Sequence, residues 1–333
     1  MKRKKIGRVG TVLLAALCSL SGCGRKTTGS DEKASQNIVV GFSQVGSESD
    51  WRVANTESMK NTFSEENGYE LLFDDAKNKQ ENQIAAIRNF ILQGVDYIVV
   101  APIVEHGWEE VLQEAKEADI PVIVVDRMMD VDEEMFTAWV GSNTYWEGET
   151  AVEWLESCLE KQGRSEEVIS ILHVMGTVGA TPQLGRTAGL EQGIARHDNW
   201  QLTAQVEGEF TQAKACEEVS EVLKQNQEID VVYCENDNSA FGAIEALEAA
   251  GISYGAAGDV IVISFDATRA GLTACMEGKI NLDVECNPLH GPRVEKIIQQ
   301  LENGESLEKH YYVEEAYFDT ETLTEEFLAN RAY

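Results

Sequence analysis

Short runs of β-branched and aliphatic residues alternate along the chain with segments whose apolar residues recur every three or four positions. Ile38–Phe42, Tyr69–Phe73, Tyr97–Ala101 and Pro121–Val125 have strand length and composition. Between them, Trp51–Asn67, Gln80–Gln93 and Trp108–Ala118 carry helical spacing. Gln80–Gln93 places Ile84, Ile87 and Ile91 on one face and stops at Gly94. The alternation resumes with strands expected at Val168–Val174, Leu202–Val206, Val231–Cys234, Val260–Phe265 and Ile280–Val284. Helices are expected at Gln183–Ala195, Gln212–Gln225, Ser239–Ala250 and Pro292–Leu301. Continuously apolar strands separated by helices imply parallel sheets covered on both faces. The chain has 333 residues, which suits two such α/β domains better than one, with a change-over near Gly141-Ser-Asn143.

The pattern begins only at Asn37. Before it, Met1-Lys-Arg-Lys-Lys5 is basic, and Val9–Leu20 is apolar but too short for a stable bilayer span. Leu20-Ser-Gly-Cys23 follows, and the whole has the order of a secretory signal. A cysteine after Leu-Ser-Gly resembles the bacterial lipobox. Residues 1–22 are therefore expected to be a lipoprotein signal peptide, Cys23 the lipid-modified residue and residues 23–36 a polar tether.

Charge narrows the function. The formal net charge is −31, and removing residues 1–22 takes away five basic and no acidic residues, leaving −36. Such a surface repels phosphate backbones, which argues against nucleic acid. It is equally unsuited to anionic lipid, so a lipid on Cys23 would have to hold the protein at the membrane. Besides Cys18 and Cys23 there are five cysteines, with no CxxC and no repeated spacing. They read as small buried hydrophobes rather than a disulfide framework or zinc site. The five histidines are scattered without metal-ligand spacing, so no metal or cofactor is expected. No GxGxxG, P-loop or GxSxG turn occurs.

In open parallel sheets, ligands sit beyond the carboxyl ends of the strands. The residues there are Ser43–Arg52, Asp126-Arg127, Gly176–Arg186, Glu235–Asn238, Asp266 and Glu285–Asn287. They supply Asp, Asn, Arg and Glu for hydroxyl groups and an aromatic surface for the C–H face of a ring, the combination a sugar requires.

Specific stretches carry a family resemblance. Gly41-Phe-Ser-Gln-Val-Gly-Ser-Glu-Ser49 with Trp51-Arg52 is similar to the first strand and loop of the galactofuranose-binding subgroup of ribose-type periplasmic sugar-binding proteins. Lys79-Gln-Glu-Asn-Gln-Ile84, Gly94-Val-Asp96, Ala101-Pro102, Gly107-Trp108 and Ile120-Pro-Val122 also match. So do Asp126-Arg127, Gly176-Thr-Val-Gly-Ala180, Arg186 and Asn236-Asp237. The resemblance extends from Asn37 to about Phe318. It implies a type I periplasmic-binding-protein fold, two doubly wound parallel-sheet domains joined by a three-stranded hinge. One lobe would comprise residues 37–142 with 289–315, the other 143–288 with 316–333.

Carried over position by position, the resemblance implies that Asp126 and Arg127 grip ring hydroxyls. Arg186, on the second lobe's first helix, and Asn236, Asp266 and Asn287 would approach from the other side. Trp51 would stack on the ring, Arg52 would add donors, and Ser47, Glu48 and Ser49 would meet hydroxyls. Thr177 would face the cleft mainly through its backbone. Thr181-Pro182 departs from the common pattern, and the sugar stays open among galactofuranose, arabinofuranose, fructose and other hexoses. The role implied is a monomeric, extracytoplasmic solute-binding lipoprotein that hands a monosaccharide to the permease of an ABC importer. A sensor feeding a membrane kinase or chemoreceptor shares the same binding chemistry. A transcription regulator of this fold fits poorly, because a signal and tether stand where a DNA-binding domain would. For a sugar hydrolase, no carboxylate pair can be assigned from sequence.

Overall fold

A computed structural model describes residues 37–225 and 228–333. The expected signal, the Cys23 expected to carry a lipid and the expected tether lie outside the described residues. The first sheet is built from β1 (Ile38–Gln44), β2 (Tyr69–Asp75), β3 (Tyr97–Val100), β4 (Val122–Val125) and β5 (Ala138–Gly141), with helices α1 (Asp50–Thr62), α2 (Gln80–Gln93) and α3 (Glu109–Glu117) between them. The chain then runs through α4 (Thr144–Gln162), β6 (Ile169–Met175), α5 (Thr181–Arg196), β7 (Trp200–Glu207) and α6 (Gln212–Leu223). It continues through β8 (Val231–Cys234), α7 (Asp237–Ala250), β9 (Ile261–Asp266), α8 (Arg269–Met276) and β10 (Leu282–Glu285). It returns to the first sheet with α9 (Gly291–Glu302) and β11 (His310–Tyr312), and ends beside the second with β12 (Tyr317–Asp319) and α10 (Glu325–Asn330).

The sheets are ordered β2-β1-β3-β4-β5-β11 and β7-β6-β8-β9-β10-β12. Each is therefore wound outward in both directions from its first strand, with β3 and β8 on the inner side. All pairings in the first sheet are parallel. The second departs from the expectation at its edge, because β12 pairs antiparallel to β10. The chain passes between sheets three times: after β5, after β10, and between β11 and β12. These three crossings make up the joint.

Alternation within the strands explains the layers. Tyr97 and Val99 pack under α1 and α9, whereas Ile98 and Val100 pack under α2 and α3. In the second lobe, Val232 and Cys234 face α6, α7 and α8, and Val231 and Tyr233 face α4 and α5. β3, β4 and β8 are buried along their whole length, as expected of strands covered on both faces. Helix ends follow local chemistry. Ser49 caps α1 by accepting from the Arg52 N–H at 3.2 Å. α2 stops at Gly94 in the left-handed region, with φ 68°. The expected helix Trp51–Asn67 is shorter, because the buried Phe63 ends α1 and packs edge-on against Tyr69, and a separate 3-10 turn covers Glu65–Asn67.

Gly185, Gly189 and Gly193 form a ridge along α5 that lies against Thr144, Gly148 and Val152 of α4. A Cβ on Gly189 would stand 2.6 Å from the Gly148 carbonyl carbon, so the two backbones touch. This close seam fixes the position of Arg186 at the start of α5. Gly189→Ala is expected to lower stability by about 1–3 kcal/mol through overpacking against main chain that cannot yield. A reduced urea midpoint with unchanged slope would register it; an unchanged midpoint would refute the rigidity of the seam.

Candidate functional site

The carboxyl ends of the two sheets face each other across one small cavity of about 20 Å³. Glu48, Ser49, Trp51, Arg52, Asp126 and Arg127 line it from the first lobe. Pro182, Arg186, Phe210, Asn236 and Asp266 line it from the second, and Cys286 closes it at the crossing after β10.

The first-lobe wall is a buried charge network. Arg52 Nη2 donates to Asp126 Oδ2 at 2.7 Å, its Nε to Glu48 Oε1 at 2.9 Å and its Nη1 to Gln44 Oε1 at 3.2 Å. Gln44 Nε2 donates to Asn55 Oδ1 at 2.9 Å, and Asn55 Nδ2 reaches the Pro288 carbonyl, also at 2.9 Å, and His290 Nδ1 at 3.1 Å. The wall is thereby joined to a crossing. Arg127 Nη1 donates to the Ile103 carbonyl at 2.7 Å, and its guanidinium lies 5.5 Å from the ring centre of Phe210 on the opposite lobe. Trp51 Nε1 donates to the Cys286 carbonyl at 2.6 Å, which leaves its ring at the cavity edge beneath the Arg52 guanidinium.

The second wall repeats this logic. Arg186 Nε donates to Glu147 Oε2 at 2.6 Å, its Nη1 donates to the Glu235 carbonyl, and its Nη2 lies 3.7 Å from Asp266 Oδ1. Arg52 and Arg186 sit on the helices that follow the first strands of their sheets, β1 and β6. Asp126 follows β4 and Asp266 ends β9, the corresponding strands. Each lobe therefore contributes one arginine and one aspartate from matching positions. Both aspartates have positive φ, 63° at Asp126 and 110° at Asp266, a strained conformation for a residue with a Cβ.

Burial and pairing set the charges. Burial alone would raise the Asp126 carboxyl, but Arg52, Arg127 and His290 hold it below its ordinary value. Burial and the neighbouring Arg52 push Arg127 down to about 10. Burial lifts Asp266 well above the carboxylate range despite Arg186, with Asp237, Glu147 and Asp126 adding to the rise. Arg127 Nε, Arg186 Nη2 and Glu48 Oε2 are buried without a hydrogen bond. Two donors and an acceptor on the cavity-lining side chains are thus left with unused hydrogen-bonding capacity, a costly state unless something polar meets them.

Nine of the expected ligand-binding residues converge here: Glu48, Ser49, Trp51, Arg52, Asp126, Arg127, Arg186, Asn236 and Asp266. Asn236 has a second duty, because its Oδ1 caps α7 by accepting from the Ser239 N–H at 2.9 Å while its Nδ2 donates to the Phe210 carbonyl. Three residues do not line the cavity. Ser47 is exposed on the loop before α1, and the Thr177 carbonyl is taken by the Ala180 N–H. Asn287 turns away, its N–H bound to Glu315 Oε1 and its Oδ1 accepting from the Leu289 N–H in the turn around Pro288. Arg186 also lies on the lobe's second helix, since α4 precedes it.

Pro182 and Cys286 fall inside the strand-end spans but were given no binding role, and Phe210 was not expected at all. Phe210 follows strand β7 and falls under the same strand-end rule that selected the others. Glu147, the partner of Arg186, has no strand-end signal. Glu147, Cys286 and Glu315 bring ligand atoms within 4.8 Å of one another, the one such grouping among the described residues. Arg186 already compensates Glu147, and Ser142 Oγ at 2.6 Å and the Asn287 N–H at 2.7 Å compensate Glu315. Cys158, Cys216, Cys234, Cys275 and Cys286 are free thiols.

The lobes also touch directly around the cavity. Thr181 Oγ1 accepts from the Met128 N–H at 2.7 Å and donates to Glu105 Oε1 at 2.6 Å, and the Asp50 N–H donates to Asn238 Oδ1 at 3.0 Å. The architecture is a two-lobed clamp in its closed form.

Known proteins share it. A family model described as a periplasmic binding protein domain matches residues 40–285. The chain is 36% identical over 294 residues to the galactofuranose-binding protein YtfQ of Escherichia coli K12, covering 87% of this chain and 90% of that one. A Mycobacterium smegmatis protein solved in complex with β-D-fucofuranose is 39% identical, with a TM-score of 0.81 and coverage of 85% and 92%. The binding component of the arabinose ABC transporter from Shewanella sp. ANA-3, solved with α- and β-L-arabinofuranose, is 40% identical, with a TM-score of 0.79 and the same coverage. The chain belongs to the periplasmic binding protein family, in its type I fold.

One pH dependence follows from the wall. Burial holds His290 neutral by pushing its pKa down to about 4; Asp126 opposes this, and Arg293 and Arg52 reinforce it. The unfolded chain takes up that proton near pH 6.5 and the folded one does not. This contribution is therefore fully present above about pH 6.5 and falls by about 3 kcal/mol on descending to pH 4. Urea unfolding from pH 7 to 4 is expected to show a shallower loss in His290→Gln than in the wild type. Parallel curves would show that His290 is not buried neutral.

Proposed function

We propose that the protein is a lipid-anchored, extracytoplasmic receptor that encloses one neutral monosaccharide, preferably as a furanose, and delivers it as a monomer to an ABC importer. The observation that carries this reading is the pair of Arg–Asp sets, one from each lobe, meeting with Trp51 and Phe210 around a single small cavity. In this form only about 20 Å³ of the cavity is free, so its own side chains nearly fill it and a sugar would enter only as the lobes part. Guanidinium donors and carboxyl groups line it together, the mixture of partners that a ligand rich in hydroxyls requires.

The furanose preference rests on the relatives, two of which were solved with furanose sugars and one of which is named for galactofuranose. Transport in place of catalysis rests on the same relatives, and the anchor rests on Cys23 in its Leu-Ser-Gly-Cys setting. Closure about the three crossings would bury the sugar and give the permease a shape that reports occupancy.

A thermal-shift panel of pentoses and hexoses tests the ligand class, because a ligand that binds the folded state raises Tm. L-Arabinose, D-galactose and D-fructose are expected among the responders. No shift with any monosaccharide, up to millimolar concentration, would overturn the reading. By calorimetry, Arg127→Ala is expected to weaken the responding sugar by about 10- to 150-fold, the equivalent of about 1.5–3 kcal/mol for a charge-assisted hydrogen bond. Asp126→Ala should weaken binding similarly but also lower stability, because it strips Arg52 of its 2.7 Å partner. Wild-type affinity in both variants would remove the cavity from consideration.

A further inference from the structure

The segment Arg331–Tyr333 lies against the second lobe's cavity wall from behind. Arg331 is buried, with its guanidinium 4.0 Å from the Tyr333 ring centre and close to the rings of Phe318 and Phe327. Its Nε donates to the Ala267 carbonyl at 2.9 Å and its Nη1 to Glu285 Oε1 at 2.8 Å, an oxygen that also accepts from the Tyr333 hydroxyl at 2.7 Å. The segment is held in turn by Arg269, whose N–H donates to the Tyr333 carbonyl at 2.6 Å.

Ala267 is half of the strained turn that presents Asp266 to the cavity. Asp266 and Ala267 have φ of 110° and 50°, two successive residues with Cβ atoms on the unfavourable side of the map. Such a turn persists only where its surroundings over-determine it. Two side chains do so here. Asp283 Oδ1 accepts the Ala267 N–H at 2.9 Å, and Arg331 donates to its carbonyl. Glu285 extends the hold to two of the three crossings. Its Oε2 accepts from the Ala316 N–H at 3.1 Å, between β11 and β12, and its Oε1 lies 3.4 Å from Asn287 Nδ2 after β10.

We propose that Arg331 is a positioning residue for the cavity: it locks the Asp266–Ala267 turn and ties that turn to the crossings, and so governs how firmly the ligand is held without touching it. The inference rests on the sugar-receptor reading for its ligand, but its structural half stands separately. Arg331→Gln, which loses the charge on both contacts, is expected to bind L-arabinose or D-galactose about 5- to 20-fold more weakly. The loss should lie in faster dissociation, with association little changed, because every lining residue is still present and only the hold on Asp266 is weakened. Arg331→Lys, which keeps the charge opposite Glu285, should recover part of the affinity.

The decisive comparison is a double-mutant cycle with Asp266→Asn. If Arg331 acts through Asp266, then Arg331→Gln adds less than 2-fold in that background. The same 5- to 20-fold loss in both backgrounds, or no loss in either, overturns the proposal. A crystal structure of Arg331→Gln, or of Arg331→Lys should the first not fold, gives a readout without sugar. An Asp266–Ala267 turn with φ values unchanged refutes the proposal even if the wild type binds no sugar, an outcome that would itself count against the receptor reading alone. A turn that relaxes out of the left-handed region supports it.

Discussion

The structure depends on the need of buried charge for opposite charge. Six ionisable side chains converge on one cavity from two sheets, and none could stay ionised there alone. Arg52 is answered by Asp126 and Glu48, and Arg186 by Glu147 with Asp266 farther off. Because Arg52–Asp126 and Arg186–Asp266 each join a helix after the first strand to the end of the fourth in sheet order, they help to fix the spacing between those elements. The geometry of the gap is thus set by the same contacts that make its chemistry tolerable.

The strain at Asp126 and Asp266 belongs to this arrangement. A strand that ends in an ordinary extended conformation would carry its last side chain onward toward the next helix. A positive φ bends the chain so that the carboxyl turns toward the gap, at a cost of about 1–3 kcal/mol for each residue. The surrounding hydrogen bonds on Ala267, and the ion pair on Asp126, hold the bend in place.

Much of this was legible in the sequence, for a definite reason. Strands buried on both faces advertise themselves as unbroken apolar runs, and the polar residue that breaks each run stands at the sheet's carboxyl edge. Asp126, Asn236 and Asp266 were marked in this way. β7 is an edge strand with exposed positions along it, so its end was poorly marked and Phe210 was passed over. α4 has Tyr145 and Trp146 partly exposed near its start, which blurs the helical period that would have announced it. β11 and β12 have three residues each, too few to show any alternation. Ser47, Thr177 and Asn287 show the converse, since they do not line the cavity. They adjoin lining residues in the chain, but proximity in sequence does not set the direction of a side chain in a turn. Glu147 could be found only in three dimensions, since its importance comes from lying under Arg186 across the glycine seam.

The bonds between the lobes carry a consequence for a receptor of this kind. Thr181 bridges Met128 and Glu105, and Asn238 meets Asp50, so part of the grip runs from protein to protein and not through any cargo. Each such bond raises the share of molecules already shut, and apparent affinity rises with that share. The same bond makes an empty molecule resemble a loaded one. Sensitivity to scarce sugar and the fidelity of the message sent to a transporter therefore pull in opposite directions, and the number of rim contacts is where this fold strikes the compromise.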